Sequence, residues 1–480
     1  IYIMQGNLIK VSIMNAKRIL TSLVCGSLCL LTACDSGSSS SVQPVDPIPG
    51  NELTASSDSS TPIPVPESSV SGSGVAVTNP PSGAANLAMP TSLYGIWKPY
   101  HYVTLEEEAV AYPSMGSGFA ANFAAFGNAG RVIWSTSTDE NCWIPEAQGT
   151  PKYKRGCTVS EGIGYGMLIS LFQGDWDTFN RIWTYNRAFR QSPYINGTEL
   201  MPWLVGTFDI TNVPSAVAAT DADLDVATSL ILAYYMTSNA AYLNDAKLIV
   251  NAIWKHLVNT EAKILYSGDT PVWKKATSAY NLSYFSPVAL RLFALVDTDP
   301  THNWKDILDG EYAYMTAIQQ AGVGVFPDWT SVTGAPIDPK NGSATKTYWT
   351  FNKESVRIPW RIAWDQYWFQ DPRATQILTT LNTFISGKSG GNVNNIPATN
   401  FSYASAYGAD VTNTKLSVQW LGAWCLTGMG NNPTWLSNCT TLFNTMPMET
   451  SLTSYFPNIL QMMFSQLMNG LYVKPSNMGI

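Results

Sequence analysis

The stretch DVATSLILAYYM, Asp225–Met236, followed after three residues by AAYLNDAKLIVNAIWKHLV, Ala240–Val258, decides the fold class. After its first residue the former carries no charge and is apolar on nearly every face, as a helix enclosed on most sides requires. The latter places apolar residues at i, i+3, i+4 and i+7, the stripe of a helix with one face in solvent. An enclosed helix followed by a half-exposed one is the unit of stacked helical hairpins. Similar runs occur at Gly166–Phe172, Phe285–Leu295, Asn303–Gln320, Trp360–Trp368, Ala374–Ser386, Val418–Thr427 and Phe456–Leu471, separated by short loops rich in Gly, Pro, Asn and Asp. Convincing alternating strands are few, so the chain is expected to be all-α. No internal repeat marks an open solenoid, and a closed helical toroid is the expected form.

Outside this region the chain changes character. From Met14 it reads MNAKRILTSLVCGSLCLLTACDSGSSSS: Lys17 and Arg18, an apolar run Ile19–Leu31, then small residues up to Cys34. The run is too short to span a bilayer comfortably and reads as a signal peptide, with residues 1–13 upstream of the natural start. Leu31-Thr32-Ala33-Cys34 resembles a bacterial lipobox, which implies cleavage before Cys34 and lipidation of its sulfur. Residues 34–88 are Ser, Gly, Pro, Thr and Asn with few large apolar side chains, too few to offset the entropy of ordering them, and read as a tether. Residues 89–480 contain no second linker of this kind and are expected to form one domain. The expected location is exported and membrane-anchored, on the periplasmic or cell-surface side, with membrane contact through the lipid only.

A net charge of −7 with 13% charged residues and no basic cluster argues against a nucleic-acid partner. The 17 tryptophans, many beside polar residues, serve a core and also suit a cleft in which sugar rings stack. Of the seven cysteines, four lie beyond Cys34, and their spacing in an exported chain predicts disulfides Cys142–Cys157 and Cys425–Cys439. His101, His256 and His302 are scattered, which supports neither a zinc site nor a Ser/His relay.

Three acidic motifs stand out. In TVSEGIGYGMLISLF, Thr158–Phe172, Glu161 sits among glycines ahead of an apolar run, with Ser160 as the expected N-cap. A carboxylate there could serve only the helix dipole. Functionally, the glycines would clear space for a bulky substrate to reach the acid. A general acid needs a raised pKa, which apolar cover would have to supply against the helix N-terminus. In AATDADLDVA, Asp221, Asp223 and Asp225 are two apart; Val226 and Leu232 at positions six and twelve exclude an EF-hand, and a helix starting here puts Asp221 and Asp225 on one face. In FNKESVRIPWRIAWDQYW, Glu354 precedes Arg357 by three residues, a spacing that also suits a simple ion pair.

Together these motifs resemble glycoside hydrolase family 8, the inverting endoglucanases, xylanases and chitosanases built as an (α/α)6 barrel of six helical hairpins. VSEGIGYGML is similar to the family's acid motif, which implies Glu161 as proton donor. ATDADLDVA is similar to its signature and implies that Asp221 holds the sugar at the cleavage point. SYFSP, Ser283–Pro287, and FPDW, Phe326–Trp329, resemble further family stretches; Tyr284 matches an aromatic beside the centre, and Trp203 and Trp273 match sugar-stacking tryptophans. SYFPNILQMMFSQLMNGLY resembles the closing helix, with Phe456 where a second Tyr is common. The resemblance runs from about Trp97 to Tyr472. ESVRIPW is similar to the endoglucanase motif, with Glu354 where its Asp general base stands and Arg357 among the substrate-binding residues. The implied partner is a β-1,4-linked polysaccharide or oligosaccharide, foremost a cellulose-like glucan, with xylan or chitosan as alternatives. The implied protein is a monomer that uses no cofactor and no metal. A glycan-binding surface lipoprotein without turnover is the alternative of a different class. Should Glu354 not serve as base, Asp223, Asp225, Asp328 and Asp338 are the other acids to consider.

Overall fold

The hairpin pattern closes into a ring. The computed structural model describes residues 91–111, 124–134, 156–192, 197–211, 213, 215–275, 277–339 and 348–480, all within one unit spanning Ser68–Ile480. The segments expected to be a signal peptide and a tether, with Cys34, and also Cys142, lie outside the described residues. The helices are α1 (Thr91–His101), α2 (Leu105–Ala111), α3 (Ser160–Gln173), α4 (Trp176–Arg190), α5 (Thr220–Thr237), α6 (Ala240–Leu257) and α7 (Pro287–Val296). They continue with α8 (Trp304–Ala321), α9 (Ile358–Phe369), α10 (Pro372–Ser389), α11 (Val418–Leu426), α12 (Pro433–Asn444) and α13 (Tyr455–Met468). Helices α3, α5, α7, α9, α11 and α13 each pack on the next, and α13 returns to α3. Around this inner ring α4, α6, α8, α10 and α12 each back the helix that precedes them, while α1 backs α13. This is the expected (α/α)6 barrel.

Burial follows the sequence pattern. In α5 every residue from Thr220 to Ala233 is buried, whereas α6 buries only a stripe that includes Tyr242, Ala246, Ile249, Ile253 and Leu257. The hairpin between them is tight because Ser238 takes the left-handed conformation at φ 61° and the Asn239 side chain accepts from the Ala241 N–H. The predicted Cys425–Cys439 disulfide joins α11 to α12. Cys157 is also disulfide-bonded. No helix among the described residues is long and apolar enough to cross a membrane.

The few strands matter for what they position. β1 (Tyr102–Thr104) pairs with β2 (Gly130–Val132), and in a separate three-stranded antiparallel sheet β3 (Thr158–Val159) pairs with β4 (Pro202–Val205), and β4 with β5 (Ser215–Ala218). β3 runs directly into α3, and β5 reaches α5 after one residue. One small sheet therefore sets the starting points of the two helices that carry Glu161 and Asp221.

Two expectations about α3 are corrected. Val159, not Ser160, is the N-cap and makes no side-chain cap bond; Ser160 is already helical, and its Oγ is buried without a hydrogen-bond partner among the described residues. The glycines do not open space for substrate. A Cβ at Gly162 would meet Tyr455 Oη at 3.1 Å, one at Gly164 would meet Asp225 Cβ at 2.9 Å, and one at Gly166 would meet Val132 Cγ2 at 2.6 Å. Protein neighbours fill all three positions, so the glycines allow helix-to-helix approach.

Candidate active site

The acidic motifs meet at the N-terminal end of the inner helices. Glu161 and Asp221 are the second residues of α3 and α5. Glu354 and Arg357 lie on the turn leading into α9, Tyr284 just precedes α7, and Tyr455 opens α13. Converging N-termini turn partial positive charge toward this end, an environment that tolerates several carboxylates.

Arg357 is the hub. Its Nη1 donates to Glu161 Oε2, to Asp221 Oδ2 at 3.1 Å and to Tyr165 Oη at 3.1 Å, while its Nη2 donates to Glu354 Oε2. The guanidinium also lies 5.5 Å from the Tyr284 ring centroid, within cation–π range. The sequence spacing of Glu354 and Arg357 thus does produce an ion pair, but the same arginine serves two further carboxylates from other helices. Arg357 and Asp221 are 2% exposed at their side chains, and Glu161 and Glu354 are 20% and 19% exposed. The two acids flanking Arg357 remain open to a ligand; the arginine and Asp221 are enclosed.

One turn deeper the pattern repeats. Asp225 takes both terminal nitrogens of Arg361, whose Nε donates to the Ser283 carbonyl at 3.2 Å. Asp221 and Asp225 share a face of α5 as the spacing predicted, and Arg357 and Arg361, also four apart, face them as a second rung.

Three carboxylates around one arginine leave an excess of negative charge, and the titration behaviour follows. Burial raises the Glu161 carboxyl above its ordinary range; Arg357 and the Tyr455 hydroxyl oppose this, and Glu354 adds to it. Burial likewise pushes Asp221 up to about 7 against the pull of Arg357. Burial works against the charge of Arg357, yet Tyr165, Glu354, Glu161 and Asp221 outweigh it and hold the guanidinium protonated. Apolar cover therefore wins over the helix N-terminus at Glu161, the condition a proton donor needs.

The remaining acids differ in their surroundings, and Asp338 is buried at 6% exposure. Asp223 is fully buried and accepts the Met201 N–H at 3.0 Å, and Asp225 is committed to Arg361. Asp328 is 2% exposed; burial, then the charge of Glu354, push it up to about 7. Glu354 is the acid of this set that meets both solvent and Arg357.

The aromatic residues divide. Tyr284 stands edge-on to Trp329 at 6.2 Å, and Trp329 stacks on Trp273 at 5.7 Å and 18°. Trp273 is 8% exposed and packs over Gly268, so much of its surface is already covered. Trp203 is half-buried on β4, on the sheet that introduces Glu161. Three contributors escaped the sequence reading. Tyr455 donates to Glu161 Oε1 at 2.9 Å, immediately before the Phe456 that stood where a tyrosine was expected. Asn281 Nδ2 donates to Glu354 Oε2 at 2.7 Å, its orientation set because Oδ1 accepts from Ser283 N–H and Oγ. Tyr165 braces Arg357. A tyrosine one position from the expected one was the available signal for Tyr455; Asn281 had none.

A closed barrel of six helical hairpins with an arginine-centred acid cluster at the N-terminal end of its inner helices is a well-bounded class of architecture. The chain belongs to glycosyl hydrolases family 8, whose family model matches residues 148–470. It is 27% identical over 292 residues to Endoglucanase C of Ruminiclostridium cellulolyticum, a match covering 59% of this chain and 60% of that one. This chain therefore matches less than two thirds of that relative's length. Among solved structures, the beta-1,3-1,4-glucanase from Paenibacillus sp. X4 superposes with a TM-score of 0.62 at 23% identity, covering 83% of this chain and 95% of that one. Rex8A from Paenibacillus barcinonensis, complexed with xylose, gives 0.56 at 16% identity, covering 78% and 95%.

Proposed function

We propose that this protein hydrolyses β-1,4-glycosidic bonds within a cellulose-like glucan by a single displacement that inverts the anomeric centre. The observation that carries the reading is the one guanidinium, Arg357, placed between two partly exposed carboxylates, Glu161 and Glu354, on different nitrogens. Inverting hydrolysis uses two carboxyl groups on opposite sides of a sugar, with a water between one acid and the ring. Glu161, protonated at the start, gives its proton to the glycosidic oxygen as the bond to the anomeric carbon breaks. Water attacks that carbon from the opposite face, and Glu354 takes the proton the water releases. The family resemblance assigns Asp221, enclosed here beside Arg357, to holding the distorted sugar, and Tyr284, Trp203 and Trp273 to binding it.

Arg357 and Tyr455 both donate to Glu161 and favour its ionised form, while burial outweighs them and raises its pKa; Arg357 Nη1 also donates to Asp221.

The endoglucanase relative supports a glucan, and the likeness to a β-glucanase structure points the same way, while the xylose complex keeps xylan in the test. Reducing-end release from carboxymethylcellulose, lichenan, xylan and chitosan, measured side by side, ranks the substrates. Proton NMR of the first product must show the α-anomer. A β-anomer, or no release from any of the four, would overturn the reading. For location, the lipobox at Cys34 supports a lipid-anchored surface enzyme. Cys34→Ser should then move the protein from the membrane to the soluble fraction with activity intact.

A further inference from the structure

Glu354 carries one more methylene than the aspartate that the family resemblance leads one to expect at its position, so its backbone or rotamer has to compensate for about one carbon–carbon bond, roughly 1.5 Å, if its oxygen is to reach the same point. What holds the backbone there bears directly on that reach. The residues on either side of Glu354 converge on one atom. Asp328 Oδ1 accepts from the Asn352 N–H at 3.0 Å, the Ser355 N–H at 3.0 Å and the Ser355 Oγ at 2.7 Å. Ser355 Oγ in turn accepts from the Asn352 N–H at 2.8 Å, which closes a small ring of hydrogen bonds around the turn. Asp328 is itself fixed: its own N–H donates to the Tyr348 carbonyl at 3.0 Å, its side chain is buried, and the next residue, Trp329, packs on Tyr284 and Trp273.

Asn352 is also held through its side chain, whose Oδ1 accepts from Asn400 Nδ2 at 2.8 Å. The short helix Ser355–Arg357 starts at Glu354 with no side-chain cap bond from Glu354, whose carboxylate points instead to Arg357 and Asn281. Asp328 therefore supplies, from a distant segment, the acceptor that a capping residue ordinarily supplies from its own chain.

We propose that Asp328 is a positioning residue for Glu354: it holds the Asn352–Ser355 backbone so that the longer acid reaches the attacking water. The inference rests on Glu354 being the base of the proposed reaction. Asp328 touches neither substrate nor the reacting atoms; its effect passes through the turn.

The test compares Asp328→Ala, Asp328→Asn and Ser355→Ala in two backgrounds, the wild type and Glu354→Ala, on whichever polysaccharide the wild type cleaves fastest. A misplacement of about 1 Å costs on the order of a hundredfold. Asp328→Ala should therefore lower kcat roughly 10- to 100-fold with KM nearly unchanged, and Asp328→Asn, which keeps an acceptor oxygen, should recover most of it. In the Glu354→Ala background the same changes should leave the residual turnover, and any turnover restored by azide attacking with inversion, within about threefold, because there is no base left to misplace. If Asp328→Ala does not fold, Ser355→Ala carries the same comparison with a loss of about fivefold. Wild-type kcat in Asp328→Ala or Ser355→Ala, or an equal loss in both backgrounds, would overturn the proposal. Failure of the base assignment reads out separately, as full hydrolysis by Glu354→Ala with Asp328 intact.

Discussion

Tyr455 donates a 2.9 Å hydrogen bond to Oε1 of Glu161 across 294 residues of sequence. It ties the first turn of the last inner helix to the first turn of the first, so the ring closes at the atom that has the chemistry to do. With Arg357 on Oε2, both oxygens of Glu161 accept from donors that favour the ionised form, and burial works the other way.

Removing one donor therefore has a predictable sign. In Tyr455→Phe the ionised form of Glu161 loses a stabilising bond, so its pKa rises further. A general acid must be protonated to act, and activity is lost as pH rises through its pKa. The basic limb of the kcat/KM profile should move to higher pH, with kcat at the optimum reduced less than about tenfold. A limb that stays in place or moves down would show that Glu161 is not the group titrating there.

How legible this site was depended on what kind of signal each residue leaves. Helices α5 and α6 were readable because burial on all sides and burial on one side produce different apolar periods. Helix α4, WDTFNRIWTYNRAFR, and helix α12, PTWLSNCTTLFN, went unread because Arg, Asn, Ser and Thr dilute their apolar stripes; tertiary packing holds them in place of strong local preference. Glu161, Asp221 and Glu354 were visible as charges standing before apolar runs, where a charge calls for a reason. Asn281 was not visible, since one amide in a polar loop has no pattern, and only the folding of that loop against Glu354 gives it a role. The glycines of α3 were correctly read as special and wrongly explained: an absent Cβ looks the same whether substrate or a helix occupies the space.

That second explanation is testable at Gly164. Alanine there gains about 0.5–1 kcal/mol of helix preference, but its Cβ would sit 2.9 Å from Asp225 Cβ and 3.0 Å from the Ala222 carbonyl. Overpacking of this kind costs about 1–3 kcal/mol, so Gly164→Ala should lower Tm and disturb the Asp225–Arg361 rung. At Gly387 in α10 a Cβ would meet nothing within 4 Å, and Gly387→Ala should raise Tm slightly. Thermal melts of both variants suffice; a stabilised Gly164→Ala would mean that α3 and α5 are not in this contact.

Glu311 gives a prediction about stability. It is 1% exposed on α8, neither carboxyl oxygen has a hydrogen-bond partner among the described residues, and burial raises its pKa well above the ordinary range despite Arg361. The folded chain keeps a proton that the unfolded chain releases. Its contribution is fully present below the unfolded carboxyl value, near 4.3, and is lost as pH rises toward the folded value, at up to about 1.4 kcal/mol per pH unit. Glu311→Gln has no such slope. The difference in Tm between variant and wild type should therefore shift in favour of the variant from pH 5 to pH 8, whatever constant offset the buried amide adds. An equal difference at both pH values would mean that Glu311 is ionised in the fold.

The length of the base is set by two separate holds. Glu354 is held at its tip by Arg357 Nη2 and Asn281 Nδ2 and at its backbone by the turn that Asp328 anchors. Glu354→Asp keeps the charge but withdraws the oxygen by about 1.5 Å. Because tip and backbone are fixed from different segments, the turn cannot follow the shortened side chain without breaking hydrogen bonds to Asp328. The water would then lie too far from its base, and kcat should fall on the order of a hundredfold, with KM little changed. Glu354→Gln, which keeps the length and loses the basicity, should fall further. If Glu354→Asp gained turnover instead, the surroundings would be suited to the shorter acid, and the present glutamate would mark a site that binds glycan better than it cleaves it.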